Sequence, residues 1–255
     1  MINNIFDTHT HYNDEKFDEN REELLNSLPS KGIDKVINVG ASIDESYESV
    51  NLSKKYDYIY AAVGIHPYNV QNLSSSYLDE LEKLSKEEKV VAIGEIGLDY
   101  HDNDIDRGLQ QKIFKEQLSL ASELNIPVII HSREADKDTI DILKQFKLSG
   151  VVHCFSSHYE IAKILIDMGF YLGFTGVITF KNNEKQIKSV MNSPLEKILI
   201  ETDCPYMAPV PYRGKVCNST MLPYIIEKIS YIKNKTSQEI ADITNSNACN
   251  LFNIK

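Results

Sequence analysis

A chain of 255 residues is long for one ordinary domain and typical of an α/β barrel; with 42% hydrophobic and 25% charged residues it can bury one large core. No apolar stretch approaches the roughly 18 residues of a membrane helix, and residues 1–7 lack the basic and apolar regions of a signal peptide. The formal net charge of −10 argues against broad electrostatic binding to nucleic acid or to an anionic membrane, and leaves room only for a polyanion held locally by metal ions and a few arginines.

Short runs rich in Val and Ile alternate with segments of helical spacing. A strand is predicted at residues 4–6, leading to His9 and His11, and a helix at 18–28 with Leu24, Leu25 and Leu28 on one side. A strand at 35–39 precedes a helix at 43–56, and a strand at 58–63 precedes a helix at 76–88. The run at 90–94 leads to Glu95 and then to the clearest helix, 105–124, with Ile113, Phe114, Gln117, Leu118, Ala121 and Leu124 in register. Strands at 127–130 and 150–153 lead to His131 and His153 and are followed by helices at 135–146 and 159–168. Strands at 170–174 and 198–202 flank a helix at 184–191, and the second leads to Glu201-Thr202-Asp203. Helices at 220–232 and 237–252 close the chain, the latter capped by Thr236 or Ser237.

The strand runs are apolar nearly throughout, as parallel strands covered on both faces are. Eight of them alternating with helices predict a single-domain TIM-type (β/α)8 barrel over residues 1–255. An open doubly wound sheet is the competing fold, but its Gly-rich first turn is replaced here by Asp7-Thr8-His9-Thr10-His11. In a closed parallel barrel all strand ends gather on one face, so imidazoles and carboxylates from His9 to Asp203 meet there.

The chemistry of that face is that of a divalent-metal hydrolase. His9 and His11 alternate on an extended strand, share a face, and can chelate one ion through neutral nitrogens. Glu95 follows an apolar run, where an unpartnered carboxylate is costly; a position between two cations satisfies both its oxygens better than a rim salt bridge does. His131 and His153 end successive strands facing them. Asp203 can ligate a metal and also take a proton from an attacking water. Glu201, of the same strand parity, either hydrogen-bonds the ligand shell or pairs with a cation below the rim. Arg133 and Arg213 are the candidate phosphate-binding guanidinium groups, with surface salt-bridging as the competing role. His66, before Pro67, either contacts a phosphate or shapes a turn; His101 lies in a loop near the site, and His158 reads as a solvated loop residue.

The four cysteines, Cys154, Cys204, Cys217 and Cys249, form no CxxC pair, which speaks against a zinc ribbon, and their scatter fits reduced thiols in a cytoplasmic protein. Cys154 and Cys204, each following a proposed ligand, read as small buried residues on the far side of the strand.

Taken together, Asp7-Thr8-His9-Thr10-His11, Gly64-Ile65-His66-Pro67, Ala92-Ile93-Gly94-Glu95-Ile96-Gly97-Leu98-Asp99-Tyr100, Pro127-Val128-Ile129-Ile130-His131-Ser132-Arg133, Val151-Val152-His153-Cys154-Phe155-Ser156 and Ile200-Glu201-Thr202-Asp203-Cys204-Pro205-Tyr206 span most of the chain. In this order they resemble the TatD family of metal-dependent deoxyribonucleases within the amidohydrolase superfamily. The resemblance implies a TIM-type barrel with two divalent ions. One takes His9, His11, Glu95 and Asp203, the other Glu95, His131 and His153, with Glu95 bridging. Family members usually follow the last strand with Arg-Gly-Lys-Arg-Asn-x-Pro. Here Arg213-Gly214-Lys215 is followed by Val216-Cys217-Asn218-Ser219-Thr220, so a basic residue and a proline are missing from the substrate rim.

The leading expectation is a deoxyribonuclease of exonuclease type. Two ions activate a water for in-line attack on phosphorus, and Asp203 and Glu95 act as the catalytic carboxylates. DNA ends or single strands are the expected partner, held locally and weakly, with no membrane and no obligate protein partner. The competing expectations are an amide or ester hydrolase, such as an aminoacyl-tRNA deacylase, and a non-catalytic metal-binding barrel. Magnesium, manganese and zinc all suit the donor set, imidazoles favouring zinc.

Overall fold

The computed structural model describes residues 2–101 and 104–254, so residues 1, 102, 103 and 255 of the expected span lie outside the described residues. Among the described residues the alternation is β1 (Ile5–Thr10), α1 (Arg21–Ser27), β2 (Ile33–Val39), α2 (Ile43–Lys55), β3 (Ile59–Val63), α3 (Tyr77–Ser85), β4 (Val90–Asp99), α4 (Arg107–Leu124), β5 (Val128–Arg133), α5 (Asp136–Leu143), β6 (Gly150–Val152), α6 (Tyr159–Asp167), β7 (Tyr171–Phe174), α7 (Glu184–Asn192), β8 (Ile198–Ile200), α8 (Leu222–Lys233) and α9 (Ser237–Phe252). The eight strands form one parallel sheet in sequence order. β1 returns to β8 at the strand C-termini, where the His11 N–H donates to the Cys204 carbonyl at 2.8 Å and the Asp203 N–H to the His9 carbonyl at 2.9 Å. The ring is thus the TIM-type barrel expected from the alternation.

Two apolar clusters hold it. The larger lies between the strands and the helices around them, for example Ile93 and Ile130 against Ile113, Phe114 and Leu118 of α4. The smaller joins Phe6, Ile37, Ala62, Ala92, Ile129, Val151 and Leu199, which sit on seven different strands and can touch only inside the ring. Leu251 and Phe252 of α9 close this cluster. Asn245 of α9 donates to the Asn4 carbonyl at 3.0 Å and Asn247 to the Ile198 carbonyl at 2.9 Å, so α9 covers the end where the strands begin. Each such fully buried Ile, Leu or Phe contributes roughly 1.5–3 kcal/mol. With one mouth plugged, the other is left for the polar strand ends.

The helices begin and stop where the local chemistry directs. Asp106 accepts the Leu109 N–H at 2.7 Å to start α4, and Asn125 ends it in left-handed backbone at φ 52°. Thr236 and Glu239 form a reciprocal capping box at the start of α9. No helix among the described residues is long and apolar enough to cross a membrane.

Candidate metal centre

The polar residues at the open mouth come from the ends of β1, β4, β5, β6 and β8, as the apolar runs predict. Two of these strands run past their apolar residues: β1 continues through Thr10 and β4 through Asp99. β4 needs Gly97 for this, because a Cβ there would lie 1.9 Å from the His131 carbonyl oxygen and the backbone has φ 149°. β6 and β8 stop early, at Val152 and Ile200, and the chain leaves through left-handed backbone at Cys154 (φ 44°) and Asp203 (φ 56°).

Glu95 is the hub. Its Oε2 lies 3.3 Å from His9 Nε2 and 3.8 Å from His11 Nε2. Its Oε1 lies 2.6 Å from His153 Nε2, 2.8 Å from His131 Nδ1 and 3.6 Å from His66 Nε2. Asp203 Oδ1 completes the first side, 3.5 Å from His11 Nε2 and 3.8 Å from His9 Nε2. Six residues expected as ligands therefore converge, and the two oxygens of one carboxylate face two different sets of nitrogens.

The surrounding hydrogen bonds decide which nitrogen each ring presents. His11 donates from Nδ1 to the Val39 carbonyl at 2.9 Å, which leaves the Nε2 lone pair facing inward. His131 donates from Nε2 to Asp99 Oδ2 at 2.9 Å, which leaves Nδ1 inward. Asp99, which sequence reasoning did not single out, is buried and also accepts the His101 N–H at 2.9 Å. Its signal was available: it stands on the same strand as Glu95 within Gly94-Glu95-Ile96-Gly97-Leu98-Asp99. His66 differs. Its Nδ1 accepts the Tyr68 N–H at 3.1 Å, so the neutral ring carries its proton on Nε2 and points a donor, not a lone pair, at the cavity.

The electrostatics are those of a cation site. Burial is the largest influence on Glu95 and would raise its pKa, yet His153, His66 and His131 hold it well below the usual carboxylate range. Asp203 is likewise lowered, burial being outweighed by His11 and its neighbours. Burial and His153 push His9 down to about 4. Burial, helped by His131 and His153, pushes His66 down to about 3 against the pull of Glu95. Burial opposes protonation of His11 and His131 too, but Asp203 and Glu95 lift the first to about 9, and Asp99 and Glu95 lift the second to about 9. Nε2 of His9 and of His11 stand 3.2 Å apart, as do His131 Nδ1 and His153 Nε2. Facing nitrogen lone pairs at that distance need a proton or a metal between them. Buried Nδ1 atoms of His9 and His153 have no hydrogen-bond partner among the described residues. The donor set fits divalent ions.

The remaining expected residues fall as follows. Arg133, at the end of β5, is exposed and lines the same cavity of about 680 Å³. Arg213 does not; it lies in an adjoining hollow with its guanidinium 3.9 Å over the Phe180 ring. Glu201 is fully buried, accepts the Cys154 N–H at 2.6 Å and the Thr8 hydroxyl at 3.2 Å, and sits 3.7 Å from His153 Nδ1, beyond hydrogen-bond reach of that ligand candidate. Burial pushes it up to about 7. His101 pairs with Glu134 at 2.6 Å, and His158 opens α6. Cys204 is buried as expected, whereas Cys154 lies past the end of β6, where strand alternation no longer governs it, with Sγ 3.4 Å from Thr175 Oγ1.

Residues 6–253 match the family model described as TatD related DNase. A protein of Bacillus subtilis named an uncharacterized metal-dependent hydrolase, YabD, is 40% identical over 253 residues, covering 98% of this chain and 99% of its own. A protein of Salmonella typhimurium named 3'-5' ssDNA/RNA exonuclease TatD is 29% identical over 258 residues, covering 98% of this chain and 99% of its own. The crystal structure of YJJV, a TatD homolog from Escherichia coli K12, matches with a TM-score of 0.94 at 30% identity over all of both chains.

Proposed function

The chain belongs to the TatD related DNase family, and from that we propose that it hydrolyses phosphodiesters at the end of a nucleic acid strand, using two divalent ions held by His9, His11, Glu95, His131, His153 and Asp203. The observation that carries this reading is the division of Glu95, one oxygen toward His9 and His11 and the other toward His131 and His153. Divalent ions bound there supply Lewis acidity at a phosphoryl oxygen and lower the pKa of an attacking water.

The side chains do the rest. Asp203, ionised because its histidine neighbours outweigh burial, orients the water and accepts its proton. His66 Nε2–H donates to a non-bridging phosphate oxygen, and Arg133 offers a planar fork to the same group. Asp99 and the Val39 carbonyl hold His131 and His11 in the tautomers the centre requires. A second reading, an aminoacyl ester as substrate, is favoured by the carboxylates of Asp14, Glu45 and Glu48 on the cavity wall, which suit an ammonium group. Metal analysis, joined to hydrolysis of a labelled single-stranded DNA and of an aminoacyl ester under magnesium, manganese and zinc, separates the two. Glu95→Ala is expected to abolish metal-dependent turnover in a folded barrel; full activity in that variant refutes the two-ion scheme.

A further inference from the structure

We propose that the hollow beside the metal centre, between Phe180, Tyr206 and Arg213, is the binding site for the single strand of nucleic acid that continues from the scissile phosphate. This rests on the phosphodiester reading above.

The hollow, of about 330 Å³, shares Tyr206 and Met207 with the larger cavity, so a strand entering one passes directly into the other. Its ionisable walls are all cationic: Lys16, Arg213 and Lys215 line it and no carboxylate does. None of the three side-chain charges is ion-paired among the described residues. In a chain of net charge −10 that is a local reversal of sign. The same hollow carries exposed apolar and aromatic surface, with Tyr206 45%, Met207 40% and Val216 46% accessible. Two of the cations lie over rings, Arg213 at 3.9 Å from the Phe180 centroid and Lys16 at 4.3 Å from that of Tyr206. The Tyr206 hydroxyl donates to Asp14 Oδ2 at 3.0 Å, which fixes that ring as a platform. Aromatic faces interleaved with cations are what an unpaired strand needs, bases stacking on the rings and phosphates meeting the charges.

The metal cavity itself has the opposite character: Asp14, Glu15, Glu45 and Glu48 line it, with Arg133 as its one lysine or arginine among the described residues. A polyanion is repelled by those carboxylates and drawn toward the cationic hollow, so the strand continues from the centre through the hollow. The scissile bond then lies next to a terminus, and duplex DNA, whose bases cannot reach the rings, is excluded. This also gives Arg213 and Lys215 a role in the segment that departs from the family pattern: they are retained where the strand runs, and Val216 adds apolar surface beside them.

The test is fluorescence anisotropy of a labelled ten-nucleotide single strand, measured in chelator so that nothing is cleaved, with wild-type protein, the double variant Arg213→Ala/Lys215→Ala, and Tyr206→Ala. All three positions are exposed, and thermal melts confirm that the variants fold. The double variant is expected to bind at least about tenfold more weakly, with a salt slope shallower by roughly 1.4, corresponding to two lost phosphate contacts. Tyr206→Ala is expected to lose roughly 5- to 100-fold from one base stack. Binding equal to wild type in both variants overturns the proposal, as does wild-type protein that binds duplex as well as single strand. Hydrolysis of a small generic phosphodiester by the wild-type enzyme with manganese is read separately. Its failure refutes the phosphodiester reading, while the anisotropy series alone decides the strand site.

Discussion

Asp99 offers the sharpest test of how the centre is built. Its carboxylate takes the His131 Nε2–H at 2.9 Å and is buried with the residue only 1% exposed, so solvent does little to weaken the bond. Asp99→Ala removes a charge-assisted hydrogen bond worth about 1.5–3 kcal/mol. Loss of the partner that orients a ligating histidine lowers metal affinity about 10- to 100-fold, or roughly 1.4–2.7 kcal/mol, and the two ranges agree. A second effect opposes the first. Asp99 also helps lift His131 to about 9, so at neutral pH an incoming ion must displace a proton from the wild-type ring. Removing Asp99 lowers that pKa and eases the displacement. The loss of affinity is therefore expected to be partial near pH 7 and full near pH 9, where neither ring holds its proton firmly. Competition against a chromophoric chelator with zinc, at both pH values, reads the difference. Asp99→Asn, whose amide oxygen still accepts the Nε2–H, should lie between wild type and Asp99→Ala. An Asp99→Ala protein that binds zinc as tightly as wild type at pH 9 would refute the tautomer argument.

Proton release gives a related expectation. His11 and His131 are both raised to about 9 and His153 is raised as well, burial being outweighed by Glu95, so metal binding near pH 7 is expected to expel at least about two protons and affinity to rise with pH up to about 9; titration calorimetry in buffers of different ionisation enthalpy counts them. His66→Ala should leave the metal content unchanged, because its inward atom is a donor, while kcat/KM falls about 10- to 100-fold; lost metal would place His66 among the ligands instead. Ion at about 100 times its dissociation constant adds roughly 2.7 kcal/mol of stability, which for a chain of this size raises Tm by about 5–10 °C relative to the chelated protein. Gly97→Ala places a Cβ 1.9 Å from the His131 carbonyl oxygen at a φ of 149°, and is expected to lower both Tm and metal affinity.

The barrel was legible because parallel strands sealed on both sides must be apolar runs, and eight such runs survive as eight strands with shifts of a few residues at their ends. The larger shifts carry physical information. Apolar character stops where the chemistry starts, so the sequence predicts β1 and β4 shorter than they are, and the backbone pairing continues through Thr10 and Asp99. His153 and Glu201-Thr202 follow their runs without a break, so the sequence predicts β6 and β8 longer than they are, whereas the backbone turns left-handed at Cys154 and Asp203. In the site, the residues expected as ligands were readable from their places at strand ends. What no linear pattern encodes is direction. His66 and His131 both lie near Glu95 Oε1, but one presents a proton and the other a lone pair, because Tyr68 N–H meets the first ring and Asp99 the second. Guanidinium chemistry makes Arg213 a candidate for phosphate, with surface salt-bridging as the alternative; its packing over Phe180, from the loop after β7, sets it in the hollow beside the metal cavity, which the sequence alone does not show.

That same separation resolves an apparent conflict in the composition. A protein of net charge −10 is a poor general binder of nucleic acid, and the four carboxylates of Asp14, Glu15, Glu45 and Glu48 lining the metal cavity make it poorer still there. The exposed cations around the mouth are not spread along a groove. Arg133 stands at the metal cavity, and Lys16, Arg213 and Lys215 stand together in the next hollow. A substrate that matches this distribution carries charge at one reacting phosphate and in a short tail on one side, and little elsewhere. Binding of such a substrate is expected to be weak in total and set by a few phosphate contacts, so that release outpaces sliding. If the proposed phosphodiester substrate is correct, that distribution of charge predicts short, distributive trimming, and processive digestion of long strands at physiological salt would contradict it.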